Sequence, residues 1–351
     1  MIFIPDILKF SDGTPVTAEN IKERRLEMLD ILRHEEYGYA PKAPEKVIGK
    51  IISTEKKVAA GHAHLERIEI LFDMEYGEFT FPINLFLPNT DKKVPVFVLI
   101  NFFPEVYNQY CPLEEIIDNG YGLAVLYYND ITSDNGSRDG ILSKCGWMRD
   151  GTAWGCISAW AYGASRVVDY LFTREEIDTD NIAVIGHSRL GKTALWCGAQ
   201  DERVKLVCSN DSGCAGAAYE RAKHEGAETA AIISNTFPYW FCGNYMQYFN
   251  DFTKAPFDQH FLLGCIAPRY ICVGSASLDN WADQYSEQLS CVGATPMWGV
   301  CGKKGYIGKE MPAAVGESFN EGDIHYHLRD GVHFLSRNDW NEYMAFFKKI
   351  M

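Results

Sequence analysis

Apolar residues recur along this chain with two different periods, and the change from one to the other outlines the architecture. Over 17–36, Ile21, Leu26, Met28, Leu29, Ile31 and Leu32 stand among many charges behind Thr17 and Glu19, the spacing of a surface helix that the Gly38/Pro41/Pro44 cluster ends. From about 47 to 87 the pattern turns to alternation, clearest at 67–72 and 79–86 around the turn residues Glu75, Tyr76 and Gly77. This predicts an antiparallel hairpin. Residues 94–100 and 122–128 are almost wholly apolar runs of strand length, the mark of strands covered on both faces.

The second half alternates strand and helix patterns, which predicts a mostly parallel sheet with helices on both faces, a three-layer α/β sandwich. A long apolar helix is expected over 152–172, then a buried strand at 182–185 and a helix at 189–200. Further strands follow at 204–208, 270–274 and 324–328, with a closing helix at 338–350. Residues 1–351 read as one catalytic domain, with 1–45 as a helical extension packed on it. Two insertions, 212–262 and 296–322, fall after strand ends, where parallel-sheet enzymes keep their site loops.

Composition narrows the function classes. The 351 residues are 47% hydrophobic, enough for a large core, and carry a formal charge of −14 with no Lys/Arg-rich stretch, so no nucleic-acid partner is expected. No apolar run approaches the roughly 18–20 residues of a membrane span, and the opening residues lack the shape of a signal peptide. The 11 cysteines are odd in number and scattered in apolar contexts, which suits reduced thiols. Together these predict a cytoplasmic protein, or a secreted one if a leader has been trimmed. The pairs His62/His64 and His325/His327 would share strand faces, but no acidic or cysteine partner stands near them. They are expected to be half-exposed strand histidines, and no metal or other cofactor is expected.

The segment Gly186-His187-Ser188-Arg189-Leu190-Gly191-Lys192 lies between an expected strand and an expected helix, where a tight turn would present Ser188 above the sheet edge. A serine hydroxyl needs a base, and His333, after the strand 324–328 and before the last helix, supplies one in the serine–acid–histidine order of α/β-hydrolases. Two acids could orient that histidine. Asp279 follows the strand 270–274 and is the first choice; Asp211, after 204–208, stays open.

The ordered motifs at 154–166, 186–196, 209–218, 237–242, 257–260, 266–269, 279–283 and 331–340 resemble the glucuronoyl esterases of carbohydrate esterase family 15. The resemblance implies an α/β-hydrolase fold and hydrolysis of an ester on the carboxyl of a (4-O-methyl)glucuronate, as in lignin–xylan linkages. It implies that Ser188 attacks, His333 relays the proton and Arg189 helps hold the oxyanion, while Lys192, Glu228 and Trp281 bind the sugar. The family usually carries glutamate where this chain has Asp211, which favours Asp279 as the orienting acid. Phe102 and Phe103, in a loop with fewer glycines than the family's, are expected to pack in the core. Lignin esters are extracellular, so this chain would act on imported fragments or on a different ester. A sugar deacetylase such as an acetyl xylan esterase, and an inactive carbohydrate-binding homologue, are the alternatives; the oligomeric state is left open.

Overall fold

The computed structural model describes residues 4–105, 107–146, 150–308 and 311–351. In chain order, helix α1 (Ile21–Leu32) runs into a π-helical turn (Arg33–Tyr37), and β1 (Val47–Val58), β2 (Ala63–Met74) and β3 (Gly77–Pro88) follow as an antiparallel meander. Next come β4 (Val94–Asn101), α2 (Leu113–Asp118), β5 (Gly122–Tyr127), α3 (Cys156–Leu171), β6 (Ile177–His187), α4 (Arg189–Gln200) and β7 (Leu206–Asn210). The chain then passes through α5 (Ala230–Thr236) and α6 (His260–Gly264) to β8 (Tyr270–Ala276), α7 (Gln284–Val300), β9 (Ser318–Phe319), β10 (Ile324–Arg329) and α8 (Arg337–Ile350).

One ten-stranded sheet has the order β1-β2-β3-β5-β4-β6-β7-β8-β10-β9. The run from β5 to β10 is parallel throughout, and the edges are antiparallel. Alternation along β4 explains the three layers. Val96, Val98 and Ile100 face a core with Trp160 of α3, Trp196 of α4 and Trp298 of α7, whereas Phe97 and Leu99 face Ile116 of α2 and Trp340 and Phe347 of α8. Helix α8 starts from a capping box in which Ser336 accepts from Asp339 N and the Asp339 carboxylate returns the bond.

Three expectations change. The meander has a third strand, β1, beyond the expected hairpin; as the sheet edge it is exposed over most of its length and shows no alternation. Helix α7 is an element the sequence reading does not assign, and it continues through Pro296, so the region expected as a loop from 296 stays helical to Val300. His325 and His327 are buried rather than half-exposed, since α8 covers their strand: His327 Nε2 bonds Asp339 Oδ1 at 2.8 Å and His325 Nδ1 meets Cys272 Sγ at 3.3 Å.

Candidate active site

The turn between β6 and α4 is held by backbone geometry. Ser188 sits at φ 57°, ψ −128°, a conformation disfavoured for a residue with a side chain, and its N–H donates to the carbonyl of Asn210 at 2.8 Å. Gly186 is required there, because a Cβ would lie 2.0 Å from the carbonyl oxygen of Leu190. The sequence puts Leu190 where the familiar Gly-x-Ser-x-Gly has its second glycine, and the structure shows the consequence. Leu190 fills the core, while Gly191 takes the close approach: a Cβ there would lie 3.0 Å from Ser212 Cβ.

His333 reaches the same place from the loop after β10. It and Ser188 line one cavity of about 380 Å³ together with Arg189, Lys192, Asp211, Glu228 and Trp281, so all the residues singled out except Asp279 face a common space. Asp279, after β8, lies behind His333 and meets its Nδ1 at 2.5 Å, leaving Nε2 as the ring nitrogen open to the cavity. Ligand atoms of Asp211, Asp279 and His333 all lie within 4.8 Å of one another, so both acids approach the imidazole but only Asp279 bonds it. Asp211 turns to Arg329 Nη2 at 3.3 Å and to the Phe334 N–H at 3.4 Å. Burial drives the Asp211 carboxyl well above the usual carboxylate range, the charges of Glu287, Asp279 and Asp339 add to this, and Arg329 opposes it.

Arg189, first residue of α4, is clamped beside Ser188. Its Nη1 donates to Asp134 Oδ2, and its guanidinium lies 4.7 Å from the Trp240 ring centroid and 5.4 Å from that of Phe237. Its Nε is buried and has no hydrogen-bond partner among the described residues, an unused donor next to the elbow. Asp134 also accepts from Trp240 Nε1 at 2.6 Å, tying the arginine's anchor to the cavity wall. On the opposite wall, buried Lys192 donates to the Ser212 carbonyl and stands 3.7 Å from Glu228 Oε2. The Glu228 N–H in turn donates to the Trp281 carbonyl at 3.0 Å, and the Trp281 side chain is half exposed at the rim.

Beneath these groups lie residues that the sequence did not single out. His187 is buried, bonds Asn210 Oδ1 at 2.7 Å, and packs its ring 4.4 Å from that of His333. Burial and then the neighbouring His333 lower its pKa to about 3, so it stays neutral. Glu287 of α7 accepts from Ser275 Oγ at 2.6 Å and from Gly213 N at 2.9 Å, and burial pushes it up to about 7. Phe102 packs edge-on against Tyr128 at 5.5 Å and lies 5.6 Å from the Arg189 guanidinium; Phe103 stacks on Tyr110 at 5.7 Å. Phe102 thus joins the core while forming part of the arginine's bed. Asp134 gave no local signal, because its partners Arg189 and Trp240 are 55 and 106 residues away in the chain; Trp240 stands out only as part of the 237–242 motif.

Comparison with known proteins agrees with this geometry. The family described as "Glucuronyl esterase, fungi" matches residues 74–302. The carbohydrate esterase MZ0003, from an unknown prokaryotic organism, is 33% identical over 98% of this chain and 88% of its own. The 4-O-methyl-glucuronoyl methylesterase 1 of Wolfiporia cocos is 30% identical over 83% of this chain and 69% of its own. A solved promiscuous CE15 esterase from a marine bacterial metagenome superposes with a TM-score of 0.91 at 32% identity, covering 100% of this chain and 98% of that one. The chain belongs to the glucuronoyl esterases of carbohydrate esterase family 15, which are carboxylic ester hydrolases.

Proposed function

We propose that the protein hydrolyses the ester between the carboxyl of a (4-O-methyl)glucuronate and an alcohol, through an acyl-enzyme on Ser188. Ser188 Oγ attacks the ester carbonyl while His333 Nε2 takes its proton, and Asp279 keeps the imidazole in the tautomer that can accept it. Charge developing on the carbonyl oxygen falls beside the start of α4, where the Arg189 guanidinium and backbone N–H groups stabilise it. His333 then returns the proton to the leaving alcohol, and water, activated by the same imidazole, releases the free uronate. Lys192, Glu228 and Trp281 supply a cation, a carboxylate and an aromatic edge for the hydroxyls and face of the sugar.

The observation that carries this reading is the single cavity that brings Ser188, Arg189 and His333 together with Lys192, Glu228 and Trp281. All 11 cysteines are free, nine of them buried, which supports action in a reducing compartment on fragments delivered to it. The test is hydrolysis of methyl and benzyl glucuronate alongside an acetylated xyloside and nitrophenyl acetate. The glucuronate esters are expected to give the higher kcat/KM, and Ser188→Ala is expected to lower it by ~10⁴-fold or more. Faster turnover of the acetylated xyloside would replace the uronate esterase by a sugar deacetylase.

A further inference from the structure

A second cavity, of about 420 Å³, lies between α3, the C-terminal end of α4 and the segment 39–43. Cys197, Gln200 and Asp201 line it, whereas Arg189 and Lys192 toward the start of the same helix line the catalytic cavity, so about 8 Å of helix separates the nearest lining residues of the two. Its charges do not balance. Arg166 and Arg203 line it but are matched: Asp169 pairs with Arg166 Nε and with Arg203 Nη1, each at 2.6 Å, and Asp201 pairs with Arg203 Nη2 at 2.7 Å. Arg33 and Lys42, which line the same space, have no ion pair among the described residues.

Arg33 spends its Nε on Gln200 Oε1 at 3.1 Å, and both terminal nitrogens of its guanidinium are without a hydrogen bond among the described residues. Burial pushes this guanidinium below its ordinary range, and the charge of Asp30, whose carboxylate accepts from the Tyr39 hydroxyl at 2.8 Å, opposes that shift without an ion-pair contact to Arg33. Arg166 is only 3% exposed and its Nη1 is buried with no hydrogen-bond partner among the described residues. A partly desolvated cation with no carboxylate in contact gains from an anion, and the planar fork of an arginine matches the two oxygens of a carboxylate. The rings of Tyr39 and Tyr162 line the same cavity and add flat apolar surface beside the cations.

We propose that this cavity is a second ligand site, taking a small carboxylate anion carried on a ring of sugar size, with Arg33 and Lys42 facing the carboxylate and Tyr39 and Tyr162 beside the ring. A free uronate is of this class; that choice of ligand rests on the function proposed above, while the anion site does not.

The test uses the full chain and calorimetric titration with glucuronate, with neutral glucose and with inorganic phosphate. Glucuronate is expected to bind, glucose not to occupy this site, and Arg33→Gln to weaken one class of glucuronate binding by ~10-fold or more. Lys42→Gln is expected to weaken the same class less; Lys42 is exposed, so this variant keeps the test open if Arg33→Gln fails to fold. Hydrolysis of methyl glucuronate should be unchanged in both variants. Wild-type glucuronate affinity in both variants overturns the proposal, and so does Arg33-dependent binding of phosphate with none of glucuronate, which would assign the site to a different anion. Arg33-dependent glucuronate binding in a protein that fails to cleave methyl glucuronate would support the site while removing the uronate esterase reading.

Discussion

The groups proposed to react and the wall that faces them are held by different forces. Ser188, Asp279 and His333 stand just past the ends of β6, β8 and β10, and the parallel backbone ladder fixes where each loop begins. The wall, built largely from the 212–262 insertion, has little regular structure and is fixed by buried charges instead. Arg221 pairs with Asp258 at 3.2 Å with both side chains fully buried, Asp258 also accepts from the Glu220 N–H at 2.8 Å, and Glu220 Oε2 accepts from the Ala230 N–H at 3.1 Å. The groups proposed for chemistry are thus carried on loops that start at strand ends, and the facing wall is held by buried charged pairs distant in sequence. A loss on the first side should remove rate and spare the fold; a loss on the second should do the reverse.

Asp279→Asn is the sharpest trial of the first half. It leaves His333 in place but offers an amide where a carboxylate held Nδ1, so kcat is expected to fall by ~10³–10⁴ with the unfolding midpoint nearly unchanged. On the wall, Arg221→Ala leaves Asp258 buried without its cation. The expected cost is about 3–5 kcal/mol of stability, read as a fall in the denaturation midpoint, in a range where buried ion pairs that lose one partner are known to lie. If Asp279→Asn unfolded the protein or Arg221→Ala abolished turnover in a still stable fold, the division would be wrong.

The same division explains what the sequence disclosed. The elbow was legible because its signal is contiguous: an apolar strand, Gly186, Ser188 and a helix pattern within a few residues. The parallel core was legible because buried strands read as unbroken apolar runs. Edge strand β1 was not, since a strand with one neighbour and a largely exposed surface needs no alternation. The rank of Asp279 over Asp211 rests on strand position and on the shorter side chain at 211, while the hydrogen bond to His333 depends on loop paths that no local pattern encodes. Asp134, which anchors Arg189, is an ordinary loop aspartate until the 237–240 segment folds over it.

Glu287 joins the two regions, bonding Ser275 at the end of β8 and the Gly213 N–H at the start of the insertion. Its pKa is about 7 in the fold against an ordinary 4.5, so the native state holds a proton that the unfolded chain has lost between those values. Its contribution is therefore fully present below pH ~4.5 and is lost as pH rises through ~7. Wild type should weaken relative to Glu287→Gln by up to about 3 kcal/mol between pH 5 and pH 8 in denaturant unfolding. A constant difference across that range would mean the carboxylate is already charged in the fold.

The smallest effect falls on the other acid. Asp211 has a carboxylate oxygen within 4.8 Å of a His333 ring nitrogen, yet its backbone φ is 44° and it bonds Arg329 and the Phe334 N–H rather than the imidazole. Its Oδ1 is buried and has no hydrogen-bond partner among the described residues. Burial and the three surrounding carboxylates favour its neutral form, which an asparagine copies closely in size and in acceptor geometry. Asp211→Asn is accordingly expected to change kcat by less than ~5-fold and to leave the pH–rate profile on the same limbs as wild type. A loss comparable to that of Asp279→Asn would mean that both acids orient the imidazole, and the hydrogen bond at 2.5 Å would then describe only one of two working arrangements.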